Sequence, residues 1–341
     1  MSTSTARRRF SRELPSLVSG IAFADRGPIL IHGFEPPAGG KWAEDFLPGA
    51  LTALDRTSGE VRWRALCEVG YGRGFGAGIV GDRHVLVLGP GVGGHRAARM
   101  SLSTGELEGV SNIPAFDDAV IGPDLCLCST AGQLFAVDSE TLEVVWEVGA
   151  SEGRRFHHVR RAGDRALAVF SEVETGGHGV LSHDVSEGSD ELMLVAPVQP
   201  TIHDLAVTGD VVVLTTSHLD SLLPPDSAAE LAMEMEEQGG EEDKLSIVAL
   251  RYDADPGDAP LWYRILASDE EDVPEEVALH ADSGKVYLER GSYLEAMDAL
   301  TGRQLGDWIV PGLDEMVAWG VADGAGLLAE ESRVSLFELP A

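Results

Sequence analysis

The 341-residue sequence predicts an all-β chain of seven four-stranded antiparallel blades. Three observations carry that expectation: one hairpin motif recurs along the chain, a different turn alternates with it, and the two ends together make up one blade. The first motif is clearest at Leu51 to Trp63. Leu51 to Leu54 alternate as a half-buried strand does, Asp55 to Gly59 is turn chemistry, and Val61 to Trp63 starts the returning strand. The Asp side chain caps such a turn, the Gly supplies a positive φ, and the Trp is expected to cover the outer edge of the hairpin.

The motif repeats. Gly132 to Asp138 leads through Ser139-Glu140-Thr141 to Trp146, keeping the spacing of eight that separates Asp55 from Trp63. Tyr293 to Gly302 keeps the Asp298-to-Gly302 spacing of Asp55 to Gly59, with Trp308 slightly late. Met100 to Glu106 has Ser101 in the Asp position. Leu250 to Asp253 before Trp262, and Leu181 to Asp184, are eroded copies, and Ser335 to Glu338 stops where the turn would follow. An alternating strand, then Asp-x-x-Thr-Gly, then Trp resembles the quinoprotein-type (PQQ-like) β-propeller repeat, and the resemblance runs over nearly the whole chain. It implies a propeller fold. Dehydrogenases of that family are exported, generally have eight blades, carry a vicinal cysteine pair and bind calcium beside the quinone. This chain has no adjacent cysteines and no matching cofactor residues, so the resemblance implies the fold and not PQQ or another cofactor.

The second marker is a Gly/Asp turn between two short apolar runs. It occurs at Asp25-Arg26-Gly27, Gly81-Asp82, Gly122-Pro123-Asp124, Gly163-Asp164, Gly209-Asp210, Asp282-Ser283-Gly284 and Asp323-Gly324. Two markers in alternating phase give seven blades. The last blade lacks a fourth strand after Arg333 to Leu339, and Arg8 to Leu14 has no other assignment. The N-terminal segment is therefore expected to complete blade seven and close the propeller, making residues 1–341 one domain. Arg7-Arg8-Arg9-Phe10 and the apolar run Leu14 to Ala24 imitate an export signal, but the run parallels the first strands of later blades and reads as structure.

The formal net charge is −32. That argues against nucleic acid and anionic membrane as partners, and for a protein partner with a basic surface. Three cysteines give no disulfide framework and suit a reducing, cytoplasmic setting. Cys126 and Cys128 share one side of a strand without a second pair at zinc spacing, so no metal site is expected. Gly76 to Gly81 matches a dinucleotide fingerprint by letter, but no helix follows it.

Function then rests on the loops and strand starts. Both large insertions, Phe34 to Pro48 and His218 to Asp243, join second to third strands and so share one face. The second is expected to contain an acidic helix opened by Ser227 and Glu230, with Leu231 and Met235 on its apolar side. First-strand starts reach the same face and offer Arg73, Asp117, Asp118, Arg155, His157, His203, Asp204, Glu275, Glu276, Asp314 and Glu315. Polar residues ringing a channel mouth suit recognition of a protein or ligand by a non-enzymatic scaffold. The alternative is a lyase, hydrolase or lactonase using His157, His203 and Asp204, which admits a divalent cation.

Overall fold

The structure, a computed structural model, describes residues 4–23, 27–35, 47–71, 75–185, 190–195, 202–217, 219–224, 228, 245–253, 258–266 and 277–339. It is all-β, with seven four-stranded antiparallel blades, one of them extended by a short fifth strand. Six are built of consecutive strands, and the seventh joins the two ends of the chain. Spatial contacts divide the residues into two compact units, each discontinuous in sequence.

One unit spans residues 4–130, 134–148 and 308–341 and contains blades one, two, most of three, and seven. In blade seven, Ala318–Ala322, Ala325–Ala329 and Arg333–Glu338 are completed by Arg7–Glu13, which pairs antiparallel with the last of them. The expected closing strand is therefore present. Ser335 Oγ donates to Ser11 Oγ at 3.0 Å, and Arg333 Nε donates to Glu13 at 2.6 Å across the ladder. Unforeseen from sequence, Ser4–Thr5 runs parallel to Trp308–Ile309. The stretch that imitates an export signal contains Leu17–Ala22, the first strand of blade one.

Middle strands are packed on both faces and so are continuously apolar rather than alternating. Val85 to Leu88 and Leu134 to Val137 are wholly buried, whereas the outer strand Val144–Gly149 alternates between exposed and half-buried positions. Between blades two and three, Cys126 and Cys128 pack with Leu86, Phe135 and Leu142. Burial pushes the Cys128 thiol well above its ordinary range, so both cysteines act as small apolar core residues.

The turns follow the expected chemistry. Asp55 Oδ1 accepts the amides of Thr57 (2.9 Å) and Ser58 (3.0 Å), and the Gly59 amide donates to the Asp55 carbonyl at 2.8 Å with φ +69°. The tryptophan behaves differently from expectation. Trp63 does not cover its own hairpin; it lies on the turn of the next blade, where a Cβ on Gly105 would come within 2.6 Å of the ring. Its Nε1 donates to the Leu102 carbonyl at 2.7 Å. An indole needs both a flat surface and an acceptor when buried, and the neighbouring turn supplies both. Phe10 covers Gly59 in the same way, joining blade seven to blade one.

The other unit spans residues 131–133 and 149–307 and contains blades four, five and most of six. Its blades are joined by two apolar clusters, one centred on Leu167, Val180, Leu205 and Leu214, the other on Val213, Ile247, Val286 and Met297. Trp262 repeats the rule of the first unit, packing on Gly302 and donating to the Ala299 carbonyl at 2.8 Å. The blade-five insertion begins with the 3₁₀ turn Leu219–Leu222, and Ala228 donates to the Pro224 carbonyl at 2.9 Å while packing on that cluster. The rest of the expected helix, with Leu231 and Met235, lies outside the described residues.

Candidate binding site on blades four and five

A polar site lies where the strands of blades four and five begin. In blade four, Arg154–Ala162 pairs with Arg165–Glu172, which pairs with His178–Asp184. In blade five, Ile202–Thr208 pairs with Val211–Thr216. The registers place Arg155 opposite Ser171, Ser171 opposite His178, and Ile202 opposite Thr216. All of these residues thus sit at one end of their sheets. The blade-five insertion leaves from that same end, as expected.

Both first strands carry a bulge at this level. In blade four, His157 and His158 fall between the pairs Phe156–Phe170 and Val159–Ala168. In blade five, His203 falls between the pairs Ile202–Thr216 and Asp204–Thr215. A bulged residue escapes strict alternation, and its side chain is re-aimed. His157 accordingly stacks on His178, with centroids 5.6 Å apart and planes 13° from parallel. His157 Nε2 is hydrogen-bonded to Ser171 Oγ at 2.7 Å. His178 Nδ1 accepts the Ile202 amide at 3.2 Å, which leaves its proton on Nε2 and links the two blades.

Burial is the largest cause lowering the pKa of both rings. For His157 it is joined by His158 and Arg155, and for His178 by His157 and His203. No carboxylate contributes to either. The carboxylates nearby are engaged elsewhere: Glu172 with Arg154 at 3.3 Å, and Asp204 with Arg160 at 3.3 Å. Asp204 also accepts the amides of Leu205 (2.7 Å) and Leu279 (2.9 Å), so it ties together the first strands of blades four, five and six. A carboxylate holding three donors is a strut rather than a base waiting for a substrate proton.

The remaining expected mouth residues divide. Arg73, Glu275 and Glu276 lie outside the described residues. In the first unit, Asp118 Oδ1 accepts the Ala119 amide at 2.9 Å, and the Asp117 amide donates to the Ser129 carbonyl at 2.7 Å. Asp314 and Glu315 are exposed in the 3₁₀ turn Leu313–Glu315. His178 and His183 are five apart on one strand and so face opposite sides of it by parity, and His183 is buried in the sheet away from the stack. Parity could not reveal that His178 meets His157, because that contact depends on a bulge. Among the described residues, no group of three or more His, Cys, Asp or Glu side chains is arranged to hold a metal ion.

No protein-family model and no curated protein matches the sequence. Among solved structures, 1015 chains match. One is BamB from Moraxella catarrhalis, with a TM-score of 0.50 and 14% identity over 98% of this chain and 100% of that one. At that identity the likeness bears on the fold, which is the PQQ-like type of β-propeller that the repeats resemble, and a fold so widely shared selects no function.

Proposed function

We propose that this chain is a recognition propeller that binds a protein or ligand through the face where its first strands begin. The observation that carries the reading is the pair of adjacent bulges, which turn histidines of two blades out of the strand ladder and pack His157 on His178. Bulges at strand ends are devices for aiming side chains, and a rigid sheet is the usual platform for a binding loop or rim. Asp204 speaks against the enzymatic alternative, because its carboxylate is consumed in holding strands.

Charge points to the partner. A net charge of −32 favours cationic protein surfaces and steers them over long range, in a cytoplasmic setting where the three thiols stay reduced. The test is affinity capture from the native host with the intact chain and with a His157→Ala, His203→Ala variant of unchanged melting temperature. A partner lost with the variant supports the reading, and its on-rate should fall steeply once salt brings the Debye length below about 10 Å. Equal recovery by both proteins, or binding indifferent to salt, rejects it.

A further inference from the structure

We infer that the blade-four corner of this face, centred on Arg155 and the His157–His178 stack, is a binding site for a small oxyanion. This deepens the recognition reading by naming a ligand class for one part of the surface, and it depends on that face being the one in use.

The chain has 57 acidic residues against 25 Lys and Arg. Against that background the first strand of blade four, Arg154–Ala162, is conspicuous: it reads Arg-Arg-Phe-His-His-Val-Arg-Arg-Ala. Three of its arginines have identifiable work within the fold. Arg154 pairs with Glu172 and lies 4.5 Å from the Phe170 ring centroid, Arg160 pairs with Asp204, and Arg161 donates to the Gly163 carbonyl at 2.9 Å. Arg155 differs. It is exposed, and among the described residues its guanidinium has neither an ion pair nor a hydrogen bond. An arginine fork held by a sheet at the edge of a stacked histidine pair is suited to a carboxylate, sulfate or phosphate, which it can engage bidentately.

The neighbours supply what an anion needs beyond charge. Arg155 is directly opposite Ser171, and Ser171 is directly opposite His178, so guanidinium, hydroxyl and imidazole stand side by side across three strands. His178 has its Nδ1 occupied by the Ile202 amide and therefore presents Nε2–H as a donor. The groups around the stack are Arg155, His157, His158, Ser171, His178 and His203, with Glu174 in the connecting turn and with Glu172 and Asp204 committed to arginines. An entering anion finds cations and neutral donors. A long acidic peptide would meet the field of the whole protein, whereas a small ion senses chiefly the charges within a Debye length of about 8–10 Å. A small oxyanion is the ligand the site favours.

Binding and protonation are then linked. The stacked rings are held below their ordinary pKa by burial and by cationic neighbours, and a bound anion offsets the second cause. Affinity should therefore rise as the pH falls. The test is titration calorimetry of the full chain with sulfate and with oxalate, at constant ionic strength, at about pH 7.5 and about pH 6. Expected are saturable binding of at least one anion, an increase in affinity at the lower pH, and a loss on the order of tenfold in Arg155→Gln. His178→Gln should weaken the pH dependence, with His157 left to carry the remainder, and Arg161→Gln, at the other end of the strand, should behave as wild type. Absence of saturable binding overturns the inference, as does binding that Arg155→Gln leaves unchanged. If the intact chain still captures a partner that the His157→Ala, His203→Ala variant loses while neither anion binds, this inference alone falls; if intact chain and variant also recover the same proteins equally, the recognition reading falls with it.

Discussion

Two neighbouring blade junctions in the first unit fill the same space with opposite residues. Between blades one and two, Trp63, eight positions after Asp55, lies on Gly105. Between blades two and three, the position eight after Ser101 is Gly109, and the place that Gly59 and Gly105 hold in their turns is taken by Leu142. The large residue has moved from strand to turn, and a Cβ on Gly109 would lie 3.6 Å from Leu142 Cδ1. Leu142 keeps the glycine conformation, with φ 62°, and the glycine hydrogen bond, donating to the Asp138 carbonyl at 2.9 Å. A left-handed leucine costs roughly 1–2 kcal/mol, which its burial against Cys128 and Phe135 offsets. What the repeat conserves at a junction is filled volume, not a residue type.

The comparison is broken most strongly at its larger member. Trp63→Ala empties the junction between blades one and two and removes the bond to Leu102, and it should cost about 3–5 kcal/mol in denaturant unfolding. Trp146, in the same position of blade three, is only half-buried. Its replacement by Ala should cost clearly less, although sequence alone gives the two tryptophans one role. Equal losses would show that the junctions do not differ in packing.

The junction between blades one and two has a second distinguishing part, His32. Its ring meets Phe75 edge-on, with centroids 5.3 Å apart, and fills the space over Gly20. Burial lowers its pKa from 6.5 to about 4. In the window between those values the unfolded chain takes up the proton and the folded chain does not. Stability from this group is therefore complete above about pH 6.5, falls as the pH drops toward 4, and is level below that, a loss of about 3 kcal/mol. Urea unfolding across this range should show the slope in wild type and lose it in His32→Gln. A slope unchanged by that substitution would mean that another group is responsible.

This contrast also shows what the sequence made legible. Asp, Gly and Trp at fixed spacing are read directly, because turn geometry permits few residues, and those markers were enough to count the blades and assign Arg8 to Leu14, observed as the strand Arg7–Glu13, to blade seven. Phe10 on Gly59 and Leu142 opposite Gly109 follow the same packing rule in different letters, so no motif reports them. The candidate site was half legible. His157 and His203 stand out as polar residues at strand starts, but His178 joins them through a bulge that inserts a residue into one strand, and strict alternation cannot foresee that. Asp204 looked like a candidate base, since partners from three different blades are not visible in one stretch of sequence.

A smaller effect sharpens the volume argument. Leu142→Gly relieves the left-handed backbone and opens a cavity, for a net loss of about 1–3 kcal/mol. Adding Gly109→Trp to that variant reproduces the arrangement of the preceding junction, and the pair should recover at least about 1 kcal/mol relative to the sum of the single substitutions. Gly109→Trp alone, against an intact Leu142, should destabilise by overpacking. Additive losses across the double-mutant cycle would mean that the two positions do not share one space.

The smallest difference lies in the turns themselves. Blade one caps its turn with a carboxylate, Asp55, which also pairs with Arg62 at 2.6 Å; blade two uses the Ser101 hydroxyl, which accepts the Thr104 amide at 3.3 Å. Arg62 is the largest cause holding Asp55 well below the usual carboxylate range, followed by the amides of Ser58 and Thr57. A depressed carboxylate stabilises the fold above its unfolded pKa, and that contribution is lost as the pH falls through the folded one. Asp55→Ser gives the first turn the chemistry of the second. Its melting temperature should fall slightly at neutral pH, less than in any variant above, because both partners are solvent-exposed and screened. The deficit should shrink when salt is added, and again when the pH is taken below the ordinary carboxylate range. Ser101→Ala should show neither dependence. A deficit in Asp55→Ser that persists unchanged in acid and in high salt would assign the capping to geometry alone and remove charge from the account of this turn.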